Sequence, residues 1–388
     1  TNSIFGFDLL PMEQRAKALG LNKRPLGPPA EAMITSKDFY TSVLEKKPYH
    51  IKAMFSFGAN HVVSHGETDR AAKAYSSLEF FAHCNTVVTP TAKYADIFLP
   101  ANTPWEREGL RVGFDVSQEA NELIQLRAAV VPSLGESRSD LEIIFDLARR
   151  LGFGDKFFDG DIDKAYAYIL EPTGVTLDEL RAAPEGIRKP LSYQPKKYAS
   201  ANGDGFKGFA TDTGRVEIYS ELFQRHGYPP IPAFTLPRRD ASKYPFVLIS
   251  VKTGYYTHTQ FRNIPSLRKR FPEPVVQLCN DTAEDLGFEA GDMIWIENRH
   301  GRIKMKLKID NSLHPEGVSA SYGWWQNNTV LGLPGYDPLS EKGANYNRLI
   351  VPEDIDPISG AVPHRLSECR LVAVNPAKRV KPAWAGFR

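Results

Sequence analysis

The segment from residue 286 to residue 310 constrains the fold of this chain more than any other. It reads LGFEAGDMIWIENRHGRIKMKLKID, in which Gly287 is predicted to end a helix, Gly291 and Asp292 to form a tight turn, and His300–Gly301 to join two strands. Glycine tolerates the left-handed backbone that such turns need, and aspartate accepts hydrogen bonds from loop amides. The segment therefore predicts a helix, a turn and a long hairpin in a β-rich domain, with a structural role for Gly291 and Asp292.

The sequence after Tyr244 has the same β-rich texture throughout. FVLIS, VVQLC and GVSASYG are short apolar runs separated by turn residues, and such runs indicate a barrel or a sandwich. One helix is expected at DTAEDLGF, with Asp281 as its N-cap and Gly287 as its stop. We therefore predict a β domain over residues 236–375, followed by a tail at residues 376–388.

Before Tyr244, short strands alternate with helices. Strands are predicted within residues 51–60, 78–88 and 96–99, and helices at residues 69–78 and 139–153, the second with Ser139 as N-cap and Gly152 as stop. Such alternation indicates a parallel α/β sheet. Residues 1–48 are expected to be irregular with one or two helices, and residues 193–245 to form a connection containing a hairpin. We therefore predict an α/β domain over residues 1–235.

Composition excludes several classes of protein. Lys and Arg number 48 and Asp and Glu 46, so the net charge is only +2, and no long basic run suggests a nucleic-acid partner. No stretch approaches the roughly 20 apolar residues that span a bilayer, so no direct membrane span is expected. Cys84, Cys279 and Cys369 lie far apart, whereas an iron–sulfur cluster takes four thiolates. We expect three buried or half-buried thiols and no metal-ligating set.

The chain begins at Thr1, without the pattern of a secretory signal. We therefore expect the start of the gene product to lie upstream. Any targeting segment would lie there too, which leaves the compartment open between periplasm and cytoplasm.

Eight motifs in a fixed order resemble one enzyme family. Before Tyr244 they are FSFGANHVVSH, TPTAKYADIFLPANTPWEREG and FATDTGRVEIYS; after it they are TGYYTHTQFRNIPSLR, the 286–310 segment, LHPEGVSASYGWW, GANYNRLI and DPISGAVPHRLSECRLV. The set resembles the C-terminal half of the molybdopterin oxidoreductases of the dimethyl sulfoxide reductase family, over residues 45–150 and 205–375. Within the family, the resemblance is greatest to the acetylene hydratase, thiosulfate/polysulfide reductase and formate dehydrogenase-like branch. It implies an α/β Rossmann-like domain followed by a double-psi β-barrel domain.

The resemblance also implies a cofactor, bis(molybdopterin guanine dinucleotide) with molybdenum or tungsten. In the family, the four cysteines of a 4Fe-4S cluster and the metal ligand belong to N-terminal regions, and neither pattern can be placed on this chain. We therefore predict no catalytic residue and no metal ligand, and we expect the chain to be inactive alone. Its expected partners are its own missing N-terminal region and an iron–sulfur electron-transfer subunit.

The sequence is also compatible with two other functions. A non-catalytic binding or assembly protein could reuse the same domains. An unrelated enzyme with another nucleotide would be favoured by a G-x-G-x-x-G run after a strand, which is not seen.

Candidate cofactor contacts in the α/β domain follow predicted strands. Gly58 and Asn60 end the first strand, where ligands of open sheets bind. Thr89 and Thr91 precede a helical turn and could bind an anion or cap the helix. Asn85 stands where the family often has an acidic residue, and an amide has only one acceptor atom for a nucleobase.

Candidate contacts in the β domain lie in two groups. Gly254, His258 and Thr259 occupy the family's pterin-facing loop, and Arg262 could bind a phosphate or form a surface ion pair. Asn345 and Asn347 would point to one side of an extended segment, and the planar guanidinium of Arg365 suits a phosphate or a pterin oxygen. Trp324 and Trp325 could stack on a ring, but packing in the core or at an interface is favoured for them. Glu106 and Glu108 are assigned to salt bridges and turns rather than to acid–base catalysis, because no partner base or nucleophile accompanies them.

Overall fold

The computed structural model describes residues 7–113, 117–192, 209, 211–234, 240–350, 355–362 and 364–375. Residues 193–208, 210 and 235–239 of the predicted connection, and the tail at 376–388, lie outside the described residues.

A parallel sheet of three strands forms the first structural unit. Its strands, β1 (Ala53–Phe57), β2 (Phe80–Asn85) and β3 (Ile97–Pro100), run in the order β1-β2-β3. The helices of this part of the chain are α1 (Met12–Arg15), α2 (Ser36–Glu45), α3 (His61–Ser64) and α4 (Thr68–Ser76). The predicted alternation of strands and helices is confirmed here, with bounds shifted by a few residues.

One face of this sheet is covered and the other is largely open. Tyr40 of α2 and Tyr75 of α4 pack on Phe81 of β2 in a buried cluster. On the opposite face, Phe55 and Phe80 line an apolar groove of about 530 Å³ beside a helix described next. The faces differ because neighbouring side chains of a strand point to opposite sides.

A second unit follows β3. It contains an antiparallel sheet of β4 (Gly109–Arg111), β5 (Leu123–Arg127) and β6 (Ile187–Arg188), with the helices α5 (Gln118–Asn121), α6 (Asp140–Arg150), α7 (Ile162–Leu170) and α8 (Leu177–Ala182). Ser139 caps α6 through a capping box with Glu142, as predicted for the N-cap, and Gly152 follows the helix with a φ of +84°. The short helix α9 (Glu221–Arg225) lies in the connection.

The chain after Tyr244 closes into a six-stranded barrel, so the predicted change of architecture is confirmed. Its elements are β7 (Phe246–Val251), α10 (Pro265–Arg268), β8 (Val275–Leu278), α11 (Asn280–Leu286), β9 (Met293–Asn298), β10 (Gly301–Ile309), β11 (Gly317–Ser321) and β12 (Ser367–Ala373), and the strand order is β10-β8-β11-β7-β12-β9. Along β10, Ile303, Met305 and Leu307 are buried while the intervening lysines point outward. This period of two places one apolar face inside the barrel.

The 286–310 segment folds largely as predicted. Gly287 ends α11 with a φ of +73°, Asp292 accepts from the Glu289 amide at 2.9 Å, and β9 and β10 pair as a hairpin. The N-cap prediction was wrong: Cys279, not Asp281, precedes α11. The side chain of Asn311 accepts from the Asn280 amide at 2.8 Å, so a neighbouring loop caps the helix and lets it begin earlier.

The barrel and the first sheet are joined by direct hydrogen bonds. Asn345 donates to the Val62 carbonyl at 3.4 Å, and Asn347 donates to the Val63 carbonyl at 2.7 Å. Asn345 precedes a 3-10 helix at Tyr346–Leu349, and Asn347 lies in it, so the segment is not extended. The cause is local, because the Asn345 side chain accepts from the Asn347 amide at 3.3 Å and starts that helix.

Candidate functional site

A cavity of about 370 Å³ lies between the first sheet and two loops of the barrel. All three strands of the sheet end at it: Gly58 follows β1, Asn85 ends β2 and Asn102 follows β3. Thr259 and Gln326, on different barrel loops, close the other side. Ligands of open α/β sheets bind outside the carboxyl ends of the strands, so this cavity is the candidate site.

Asn60 lines the cavity and has a buried side-chain donor without a protein partner. It is 8% exposed, and its Oδ1 accepts from the Thr91 hydroxyl at 3.3 Å while its Nδ2 has no protein partner. Thr91 also accepts from the Val62 amide at 3.1 Å, which fixes its position behind the cavity wall. Gly58 has a φ of +60°, where a side chain would be strained, and it turns the chain from β1 towards Asn60. Because a buried donor without a partner is costly, Asn60 favours a ligand that accepts.

Asn85 and Thr89 share a neighbour, His83. Asn85 Nδ2 donates to the Ala59 carbonyl at 3.1 Å and lies 3.4 Å from His83 Nε2. The Thr89 hydroxyl lies 3.4 Å from the same nitrogen and caps the 3-10 helix at Pro90–Tyr94. The helix-capping alternative for Thr89 is therefore correct, and Thr89 also lines the cavity.

The wall beyond β3 carries opposite charges close together. Arg107 donates to Asp140 at 3.1 Å, and both side chains line the cavity. Asn102 donates to the hydroxyls of Ser133 and Ser137 at 3.2 and 2.9 Å. The amide is thereby held in place, and the Arg107 cation is partly offset before any ligand binds.

The barrel loops that close the cavity are held together by hydrogen bonds. Trp325 Nε1 donates to the Thr259 carbonyl at 2.7 Å, and the Arg262 amide donates to Gln326 at 3.0 Å. Trp324 is fully buried in the barrel core, so the packing role predicted for it is confirmed, whereas Trp325 is half-buried and lines the cavity.

Arg262 is buried, so the predicted alternative of a surface ion pair is wrong. It is 3% exposed, and its guanidinium donates to the His258 carbonyl at 2.9 Å and to the Tyr322 carbonyl at 2.7 Å. It also lies over the rings of Tyr256 and Trp324, and burial lowers the pKa of Arg262 to about 10. Dipoles and aromatic faces therefore solvate this cation.

Arg268, which sequence reasoning missed, is anchored in the same way. It is fully buried and donates to the carbonyls of Arg262, Gln326 and Pro334 at 3.2, 3.0 and 3.0 Å. No sequence signal distinguishes such an arginine from a surface one. Together with Arg262 it fastens the loops that close the cavity.

The twelve predicted contacts thus fall into three groups. Five line the cavity, namely Gly58, Asn60, Asn85, Thr89 and Thr259. Thr91, Arg262, Asn345 and Asn347 are buried and bind other protein groups behind or beside it. Gly254, His258 and Arg365 are exposed, with Arg365 close enough to Tyr322 for its charge to act on that hydroxyl. The cofactor roles of the last two groups stay predictions.

His83 is the other residue that sequence reasoning missed. It shares a face of β2 with Phe81 and Asn85, since residues two apart on a strand point the same way. Ser56 of β1 lies beside it, 3.2 Å from His83 Nδ1. The period of two in FFAHCN is the signal that could have found it.

A larger cavity, of about 1130 Å³, lies between the antiparallel sheet and α6 and α7. Glu106 there forms a capping box with Thr103, and Glu108 pairs with Arg181 at 2.8 Å. The structural roles predicted for both glutamates are confirmed. Hydrogen bonds from Thr103 hold the pKa of Glu106 below its usual value, as expected for a carboxylate that accepts.

The three thiols are buried, as predicted. In the described part of the chain, no group of three or more His, Cys, Asp or Glu side chains could hold a metal ion. Among the described helices, none is both long and apolar enough to cross a bilayer. The side chains that line the smaller cavity are chiefly amides and hydroxyls, which suit the polar edges of a nucleotide or a pterin.

Comparison with known proteins agrees with this architecture. A family model for molybdopterin oxidoreductases matches residues 15–150, and one for a molybdopterin dinucleotide binding domain matches residues 246–367. The two models meet at the cavity, which residues from both line. These two matches place the chain in the family of molybdopterin oxidoreductases.

Within that class, this chain belongs to the dimethyl sulfoxide reductase family. It is similar to the acetylene hydratase of Syntrophotalea acetylenica, 29% identical over 74% of this chain and 39% of that protein. It is also similar to a formate dehydrogenase subunit alpha of Methanocaldococcus jannaschii, 30% identical over 70% and 38%. The structure of the acetylene hydratase from Pelobacter acetylenicus superposes with a TM-score of 0.80, 24% identical over 94% of this chain and 53% of that one. The chain therefore spans about two fifths of the length of these curated relatives.

Proposed function

We propose that this chain is the cofactor-binding portion of a molybdenum or tungsten oxidoreductase, and that its 370 Å³ cavity receives one nucleotide arm of bis(molybdopterin guanine dinucleotide). The observation that carries the proposal is the buried, unpartnered Nδ2 of Asn60, a residue that lines a cavity shared by the two matched domains. Pockets of about 300–1,000 Å³ are the size that holds a small ligand or part of a larger one.

The chain's own residues would bind and orient the arm. Asn60 would donate to it, Gly58 would let the backbone approach it, and Thr259 would limit it on the barrel side. The bound metal would supply the redox chemistry, and the protein would supply position and surroundings. Gly254, His258 and Arg365 lie on exposed loops that would meet a more distant part of so long a cofactor.

We also propose the finer fold assignments. The parallel pairs β7/β11 and β8/β10 within a closed barrel support a double-psi topology. The parallel sheet with a ligand cavity at its carboxyl edge supports a Rossmann-like domain.

The proposed partner is the region that carries the metal ligand and the iron–sulfur cluster in this family. The apolar groove beside Phe55 and Phe80 is a surface that would suit contact with it. An iron–sulfur electron-transfer subunit is the second proposed partner.

The test is the cofactor content of the chain purified from a host that makes the cofactor. We expect a fluorescent pterin and GMP to be released by acid, and an Asn60→Leu variant to retain at least tenfold less while unfolding at the same temperature. Asn60→Asp keeps the shape of the side chain but not the donor. It should also lose pterin, which would show that the missing donor, not the changed shape, causes the loss. Wild-type chain without pterin would refute the proposal. Pterin without metal would favour the binding or assembly protein instead.

A further inference from the structure

The first strand of the parallel sheet has a free edge. β1 pairs with β2 on one side, and in the described part of the chain no strand lies on its other side. The opposite edge of the sheet differs, because the Arg138 amide donates to the Pro100 carbonyl at 3.2 Å and the Asn102 amide donates to the Arg138 carbonyl at 2.9 Å. The edge of β3 is thus partly covered, whereas the edge of β1 is not.

The pairing of β1 with β2 shows which backbone groups face the free edge. The Gly58 amide donates to the Cys84 carbonyl at 2.9 Å. Backbone groups point alternately to the two sides of a strand, so the even-numbered residues of β1 face β2 and the odd-numbered residues face outward. The outward N–H and C=O groups have no hydrogen-bond partner among the described residues, and they belong to Ala53, Phe55 and Phe57.

The edge of β1 lacks the usual protection of a sheet edge. The strand reads AMFSF, without a charged residue or a proline, and its register with β2 contains no bulge. Ala53 is exposed, and Phe55 is 37% exposed on the open face of the sheet. Native sheets usually protect an edge with lysine, proline or a bulge, because an unprotected edge is a template for another strand. The edge of β1 is therefore open to strand addition.

The outward residues of β1 are complementary to those of a second copy. In an antiparallel pair with a two-fold axis at Phe55, each Phe55 lies opposite its counterpart and each Ala53 lies opposite a Phe57. All three residues then occupy hydrogen-bonded positions, so every outward N–H and C=O group finds a partner. The side chains also match in size, since the large Phe57 meets the small Ala53 and the two Phe55 rings form a cross-strand aromatic pair.

The charges beside this edge favour a copy of the chain over a strongly charged partner. The adjoining groove is lined by two acidic and two basic side chains, those of Glu136, Asp146, Arg138 and Arg150. A strongly acidic or basic partner would meet as many like charges as opposite ones. A two-fold contact brings the same surface together with itself, so it can place unlike charges side by side.

We propose that β1 pairs with β1 of a second copy of this chain, antiparallel and centred on Phe55, so that two three-stranded sheets join across a two-fold axis. The contact is short, and small interfaces are weak, so we expect a dimer with a Kd on the order of 10–100 µM. The inference does not depend on the proposed function, since the outward residues of β1 do not line the 370 Å³ cavity.

The first test is sedimentation equilibrium of the full chain over a wide range of concentration. The average mass should rise from the monomer mass of 43.4 kDa towards twice that value. Phe55→Lys sets like charges opposite each other at the axis and should weaken the dimer at least about tenfold. The dilute variant should unfold within a few degrees of wild type, because residue 55 makes no backbone bond to β2. Val330→Lys is the matched control, since it adds the same charge at a 77% exposed position in the barrel and should leave the dimer unchanged.

A second test examines the register by cysteine cross-linking, which the three buried native thiols do not disturb. Phe55→Cys places two thiols across the axis with Cα atoms about 5.5 Å apart, within reach of a disulfide. Ala53→Cys places them four residues out of register, roughly 14 Å apart, and should not cross-link. Mild oxidation and non-reducing electrophoresis would compare the two variants.

Three results would overturn the proposal. The first is a chain that stays monomeric at its highest soluble concentration, which would leave the edge of β1 to a strand of another protein. The second is a dimer that Phe55→Lys weakens no more than Val330→Lys does. The third is cross-linking of Ala53→Cys as readily as of Phe55→Cys, which would exclude a two-fold axis at Phe55.

Discussion

The barrel and the three-stranded sheet are built from similar apolar strands, but they bury the side chains of those strands to different extents. Each barrel strand has two neighbours, and interior side chains such as Leu248 and Ile296 are fully buried. In the sheet, one face is covered by α2 and α4, while Ile97 and Phe80 on the other are 46% and 43% exposed. Parallel sheets are usually covered on both faces, so this one is incomplete within the described residues.

The difference separates stability from function. The barrel's apolar interior closes on itself, and the binding groups lie on its loops. The sheet provides its binding groups where its strands end, at Gly58, Asn85 and Asn102. We expect substitutions in the barrel interior to act on folding, and substitutions at the carboxyl edge of the sheet to act on binding.

The largest effect should come from an isoleucine-to-alanine substitution in the barrel, compared with the same substitution in the sheet. Ile296→Ala empties a fully buried site in the barrel and should lower the free energy of unfolding by about 4 kcal/mol, because the cavity adds to the lost transfer energy. Ile97→Ala, on the open face of the sheet, should cost less than about 1 kcal/mol. Urea unfolding followed by circular dichroism would measure both. Equal losses would mean that the open face is covered in solution.

A smaller effect is expected from the charged anchor of the sheet's covered face. Asp38 of α2 is 3% exposed and accepts from Arg24 at 2.6 Å and from Thr35 at 2.7 Å. Asp38→Asn should cost about 3 kcal/mol near neutral pH, because Arg24 stays buried without a counter-charge.

The pH dependence of this anchor follows from the same contacts. Burial alone raises the pKa of Asp38, but the hydrogen bonds and charges of Thr35, Lys23 and Arg24 outweigh it and hold the pKa below its usual value. The folded pKa is depressed, so the stability it contributes is present above about pH 4 and is lost as the pH falls through the folded value. Thermal unfolding between pH 2 and 7 should show wild type and Asp38→Asn converging at low pH. Parallel curves across the range would contradict this.

The smallest effect concerns α6, which lies beside the open face. The Ser139 hydroxyl accepts from the Glu142 amide at 3.1 Å, so Ser139→Ala should cost about 1 kcal/mol. Ser139→Asp, which can still cap, should stay within a few tenths of wild type. Thermal unfolding would compare the two. If both variants lose the same amount, the cap is not the cause.

Local chemistry made much of the fold predictable. The alternation of Ile303, Met305 and Leu307 with lysines marks a strand with one buried face, and the glycine at 287 and the serine at 139 mark helix ends. These features depend on residues within a few positions of one another. The start of α11 could not be predicted, because Asn311, which accepts from the amide of the first helical residue Asn280, lies 31 residues away.

The site was harder to predict because its hydrogen bonds join residues that lie far apart in the sequence. Arg262 and Arg268 look like surface residues in the sequence, and only the carbonyl groups brought by distant loops allow their burial. The contacts of Asn345 and Asn347 with the carbonyls of α3 could not be predicted, because α3 lies more than 280 residues away in the sequence. The position of Gly58, Asn60 and Asn85 at the cavity was easier to predict, since the carboxyl end of a strand can be recognised in its own sequence.

The position of the last barrel strand has a consequence in time. β12 lies between β7 and β9 in the barrel. Both of these strands therefore lack one neighbour until β12, more than one hundred residues after β7, has been synthesised. A ribosome adds about 5–20 residues per second, which leaves an interval on the order of seconds between the emergence of β11 and that of β12. Throughout it the ladder positions of β7 and β9 that later pair with β12 stay unfilled and open to mispairing. Synthesis rate and chaperone access in that interval should therefore affect the yield of this protein more than they affect the stability of the finished fold.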